Sequence, residues 1–71
     1  MEHFVLSNLK ELISKRFIRG EVIVSLVPTR NYCYRVVVDN KNGSHSIWTW
    51  DNWFRELIFK ETIHNYCTYT F

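Results

Sequence analysis

The stretch Tyr32-Cys33-Tyr34-Arg35-Val36-Val37-Val38-Asp39-Asn40-Lys41-Asn42-Gly43-Ser44-His45-Ser46-Ile47-Trp48 decides the fold. From Tyr32 to Asp39 the side chains alternate with the two-residue period of a strand. Tyr32, Tyr34, Val36 and Val38 fall on one face, and Cys33, Arg35, Val37 and Asp39 on the other. Asn40 to Gly43 then ends in Asn-Gly, a pair that accepts positive φ and suits a tight hairpin turn. Ser44 to Trp48 resumes as a short third strand, so the stretch predicts an antiparallel hairpin to which the rest of the chain must be fitted.

Upstream, Glu21 to Val27 reads as a further strand, with Val22, Val24 and Leu26 opposite Glu21, Ile23 and Ser25. Pro28-Thr29-Arg30-Asn31 supplies a turn in which proline pre-sets φ. Before it, Leu6, Leu9, Ile13 and Phe17, with Val5 and Leu12 beside them, recur at helical spacing and predict a helix from about Ser7 to Arg19. Ser7 or Asn8 is its expected N-cap. Lys15, Arg16 and Arg19 are expected in its last turn, where cations suit the helix dipole, and Gly20 supplies the stop.

Downstream, Thr49 reads as the N-cap of a second helix, with Asp51 in its first turn and a staple between Trp48 and Trp53. Trp50, Trp53, Phe54, Leu57 and Ile58 fit an i, i+3, i+4, i+7, i+8 pattern that would lay an aromatic face on the sheet. Thr62 to Phe71 alternates and predicts a last strand. The expected order is α-β-β-β-α-β. It gives a two-layer α+β sandwich, one domain over residues 1–71, with a mostly antiparallel sheet and two helices on one face. The second face is then left to solvent or to a partner.

Composition limits the function classes. A chain of 71 residues with 46% hydrophobic and 17% aromatic side chains is not disordered, and its core is thin. Its apolar runs are far shorter than the ~20 residues of a membrane span, so no membrane partner is expected. Met1-Glu2-His3-Phe4-Val5-Leu6 lacks the features of a secretory signal, and Cys33 and Cys67 are too few for a disulfide scaffold. The reading is cytoplasmic, with reduced thiols. Ala and Gln are absent while Asn, Ile, Tyr and Phe abound, which fits an AT-rich coding source such as a phage or mobile element.

Catalytic chemistry finds little support. His64-x-x-Cys67 has metal-like spacing, but residues three apart on a strand point to opposite faces, and no metal or other cofactor is expected. A Cys33–His45 dyad would place the thiol in a strand body rather than at a helix N-terminus, where its pKa would fall. Gly20 and Gly43 each have a local explanation, so no phosphate loop is expected. The chain is therefore read as non-enzymatic, without catalytic residues.

What remains is recognition. The net charge of +2 permits a nucleic-acid partner without arguing for one. The leading expectation is a small regulator or inhibitor that docks onto a larger host or cellular protein. Phe59, Arg55, Tyr66, Arg35 and Val37 are its predicted contacts, the last three from the uncovered sheet face. A homodimer packing two such faces together is a further arrangement. The alternative is a small nucleic-acid-binding module using Lys15, Arg16, Arg19 and Arg30 on phosphates and sheet aromatics on bases. No motif-level family resemblance is present.

Overall fold

The Asn40–Gly43 turn closes a hairpin in the place the alternation predicts. The computed structural model describes residues 2–64, with side chains from Asn8 onward. Its elements are α1 (Glu2–Ser14), β1 (Val22–Arg30), β2 (Cys33–Asp39), β3 (His45–Asp51) and β4 (Glu56–Ile63). The strands form a single sheet in the order β1-β2-β3-β4, and every neighbouring pair is antiparallel. The described chain is α+β with one helix and a four-stranded meander.

The second predicted helix is not formed. Asp51 and Glu56 pair across a turn, Trp50 faces Leu57, and Trp48 faces Phe59. The helical spacing of Trp50 and Leu57 is the accident of a four-residue loop between two strand positions that share the core face. Trp, Phe, Ile and Thr dominate Thr49 to Ile63, and these side chains suit a pleated surface better than a helix. The predicted last strand, Thr62 to Phe71, overlaps β4 only at Thr62 and Ile63, and its remainder from Asn65 lies outside the described residues.

The first helix is real but displaced toward the N-terminus. It ends at Ser14, whose hydroxyl donates back to the Glu11 carbonyl at 2.8 Å. Two single-turn bonds follow, Arg16 N–H to the Ile13 carbonyl at 2.9 Å and Phe17 N–H to the Ser14 carbonyl at 3.1 Å. Lys15, Arg16 and Arg19 therefore sit beyond the helix, and none of them complements its dipole from within. The expected stripe residues Val5 and Leu6 lie outside the described side chains.

The core gathers Leu9 and Ile13 of α1 with Ile23, Val36, Val38 and Trp50 of the sheet, and Phe17, Leu26, Tyr34, Trp48 and Leu57 pack around them. A bulge at Val24 makes this possible. Ile23 pairs with Val38 and Leu26 with Val36, so two residues three apart reach the same face. The expected set of Val22, Val24 and Leu26 on one face is corrected accordingly, with Ile23 buried and Val24 exposed. Two further irregularities, between Pro28 and Arg30 and between Ile47 and Trp48, leave Thr29 of β1 and Lys60 of β4 without opposite residues.

Ile13 is fully buried, whereas Ile18 is 88% exposed just beyond the helix. Ile13→Ala is expected to cost ~2–5 kcal/mol in urea unfolding. Ile18→Ala is expected to stay within ~0.5 kcal/mol. Equal small effects would mean that α1 is not docked through Ile13.

Candidate docking surface at the turn end of the sheet

Asp51 shapes the β3–β4 connection. Its carboxylate accepts the backbone N–H of Trp53 at 2.9 Å and of Phe54 at 3.2 Å, an Asx-type turn in which the side chain replaces a main-chain acceptor. Arg55 completes the reversal in the left-handed region at φ +59. Held this way, Trp53 is 66% exposed and Phe54 71% exposed.

The β1–β2 turn is tied to this one. The Asn52 backbone N–H donates to the Tyr32 carbonyl at 2.6 Å. The Tyr32 and Trp53 rings meet with centroids 5.2 Å apart and planes tilted by 58°. Tyr32 itself sits at φ +65, a conformation that costs a bulky L-residue ~1–2 kcal/mol. An aromatic pair of this kind returns ~0.5–1.5 kcal/mol. The two magnitudes nearly cancel, so displaying these rings adds little to folding stability.

Three arginines lie at the same end of the sheet. Arg16 lays its guanidinium carbon 5.3 Å from the centroid of the Trp50 ring and donates from Nη2 to the Arg55 carbonyl at 3.4 Å. Arg30 immediately precedes the Asn31–Tyr32 turn, and Arg55 immediately follows Phe54. Underneath, the buried Trp50 donates its indole N–H to Asn52 Oδ1 at 3.1 Å. Of the acids nearby, Asp51 is engaged with the turn amides, while Glu56 is exposed opposite it on β4.

The predicted contact residues do not converge. Phe59 is 51% exposed, but it lies in β4 on the core face, edge-on to Trp48 with centroids 5.2 Å apart. Arg35 is exposed on the opposite face, where it pairs with Thr49. Val37 shares that face yet is 3% exposed, so it offers no accessible surface. Arg55 does belong to the turn end, and Tyr66 lies outside the described residues. The predicted phosphate cluster is divided too. Arg16 and Arg30 reach the turn end, Lys15 is exposed beyond α1, and Arg19 lies with the β2–β3 loop at the other end of the sheet. The length of β1 alone, eight steps of ~3.3 Å, separates those ends.

Candidate catalytic arrangements fare no better. Cys33 is a free thiol paired with Asp51, while His45 pairs with Asp39, six residues further along β2 and ~20 Å away. No group of metal-ligating side chains forms among the described residues, and Cys67 lies outside them. Comparison with protein-family models, with curated proteins and with solved structures gives no match.

Tyr32, Trp53 and Phe54 are the site residues that sequence reading assigns elsewhere, Trp53 and Phe54 to a core-facing helix. The signal that could have found them is Asp51-Asn52, a pair of strong turn residues directly before two aromatics. Asn52→Ala is expected to leave the buried Trp50 N–H without its acceptor, at ~1–3 kcal/mol in urea unfolding. Tyr32→Asn, which relieves the backbone and removes the ring contact together, is expected to change stability by less than ~1 kcal/mol.

Proposed function

We propose that this chain is a non-enzymatic interaction module whose turn end docks into a cleft on a larger protein. The observation that carries the reading is the exposure of Tyr32, Trp53 and Phe54 at one end of the sheet, on turns joined by the Asn52–Tyr32 hydrogen bond. Large aromatics and arginine are enriched where binding energy concentrates. A pre-formed turn also loses little conformational freedom on binding. Arg16, Arg30 and Arg55 at the same end of the sheet fit an apolar cleft rimmed by Asp and Glu.

A docking surface built on hydrogen-bonded turns suits a regulator or inhibitor acting by occupancy, in keeping with a phage or mobile-element source. In this reading α1 roofs the Val36–Val38–Trp50 side of the sheet, while on the opposite side Arg35 and Ile58 are exposed and Val37 is buried. Among the described residues no helix is long and apolar enough to cross a membrane.

Single-stranded nucleic acid is the second reading, favoured by the Tyr32–Trp53 pair beside arginines, which could stack bases and bind phosphates. The Trp53→Ala/Phe54→Ala double variant separates these outcomes. It should unfold within ~0.5 kcal/mol of the parent, since both side chains are exposed. It should also lose a stoichiometric partner that the parent, and a Val24→Thr control, retain from a lysate of the source cell. Retention of the partner by the double variant would overturn the assignment. Oligothymidylate binding that weakens steeply with salt would transfer the surface to nucleic acid. A concentration-dependent mass in sedimentation, abolished by the double variant, would make the occupant a second copy.

A further inference from the structure

A polar cavity of about 500 Å³ lies at the end of the sheet opposite the aromatic turns. Four segments enclose it: the loop after α1 through Arg19 and Glu21, the β2–β3 loop through Asn40, the start of β3 through Ser46, and the end of β4 through Thr62 and His64. Its volume falls in the usual range for small-molecule sites, but its lining is far more polar than that of a typical apolar pocket.

Among the described residues, the hydrogen bonds of the floor leave three groups available, the buried Trp48 indole N–H among them. Asn40 spends its amide hydrogens on the Ser44 hydroxyl at 3.0 Å and the Ser46 hydroxyl at 2.9 Å. Ser44 in turn donates to Asn42 Oδ1 at 2.7 Å. Ser46 is 7% exposed and accepts from Asn40, but its own hydrogen has no acceptor among the described residues. Asn40 Oδ1 likewise has no donor among them. The Trp48 indole N–H, buried against the same cavity, has no acceptor among the described residues, and a buried donor of this kind calls for a partner.

The rim adds charges of both signs that form no ion pair among the described residues. Glu21 accepts the backbone N–H of Arg19 at 2.9 Å, a bond that leaves the guanidinium uninvolved. Arg19 and Glu21 line the same cavity and form no ion pair with each other or with another described residue. An anion alone would meet the Glu21 carboxylate, and a cation alone would meet Arg19. A ligand that carries both charges satisfies both.

We infer that this cavity binds a free α-amino acid or a zwitterion of similar size, with its carboxylate on Arg19, its ammonium on Glu21 and a polar side chain over Ser46 and Asn40. The inference is independent of the docking surface, because the two sites share no residue.

The test is titration of the intact ¹⁵N-labelled chain with the standard L-amino acids, one at a time at millimolar concentration, with acetate and methylammonium as the half-charged probes. At least one amino acid with a polar side chain is expected to shift the Arg19, Ser46 and Trp48 signals saturably. Acetate and methylammonium should bind at least ~10-fold more weakly. Arg19→Gln and Glu21→Gln, both at the rim, should each weaken amino-acid binding ~10-fold or more while spectral dispersion shows the fold intact. Absence of saturable shifts with every amino acid would overturn the inference. So would acetate binding as tightly as the best amino acid, or affinity unchanged in both rim variants.

Discussion

Trp50 is the side chain on which the rest of this structure depends. It is fully buried, opposite Tyr34 on β2 and Leu57 on β4, and so fixes the register of the three C-terminal strands around one large ring. Its indole N–H would be costly to bury without an acceptor, and Asn52 provides one from within the β3–β4 turn. Its π face holds Arg16, which draws the segment after α1 toward the same turn. A core requirement therefore reaches the surface in one step, since Asn52 also bonds the Tyr32 turn and Arg16 also bonds Arg55.

This arrangement explains why exposed aromatics can be held in place without an extensive core beneath them. Trp53 and Phe54 are positioned by main-chain bonds to Asp51, and Tyr32 by the contact between turns, none of which buries much apolar area. The strain at Tyr32 and the stacking it permits are of similar size. Folding stability is therefore nearly indifferent to the ring at this position.

The two ends of the sheet are chemically unlike. One end displays aromatics among arginines. The other gathers Asn, Ser, Thr and His with one Arg, one Glu and Trp48. Antiparallel strands in chain order produce this division directly. The β1–β2 and β3–β4 turns must fall together at one end, while the β2–β3 loop and the ends of β1 and β4 fall at the other. Tyr32 and Trp53, distant in sequence, become neighbours for that reason, as do Arg19 and His64.

Sequence alone determined the first helix, the central hairpin and its Asn-Gly turn, because each has a local cause: apolar periodicity, alternation, and tolerance of positive φ. It also put Val36 and Val38 on one strand face and Ile13 on the apolar helix stripe, and all three are buried in the core. It did not determine that Thr49 to Ile63 is strand-turn-strand, since Trp50 and Leu57 keep the same spacing on one helix face as across this hairpin. Nor did it determine sidedness. Val37, Arg35 and Phe59 look alike as candidates until cross-strand pairing puts Phe59 on one face and Arg35 and Val37 on the other, with Val37 enclosed. Bulges at Val24 and Lys60 shift the alternation by one residue, and a bulge leaves no reliable mark in a single sequence. Local propensity wrote the elements. Long-range pairing around a buried tryptophan decided which side chains meet the outside.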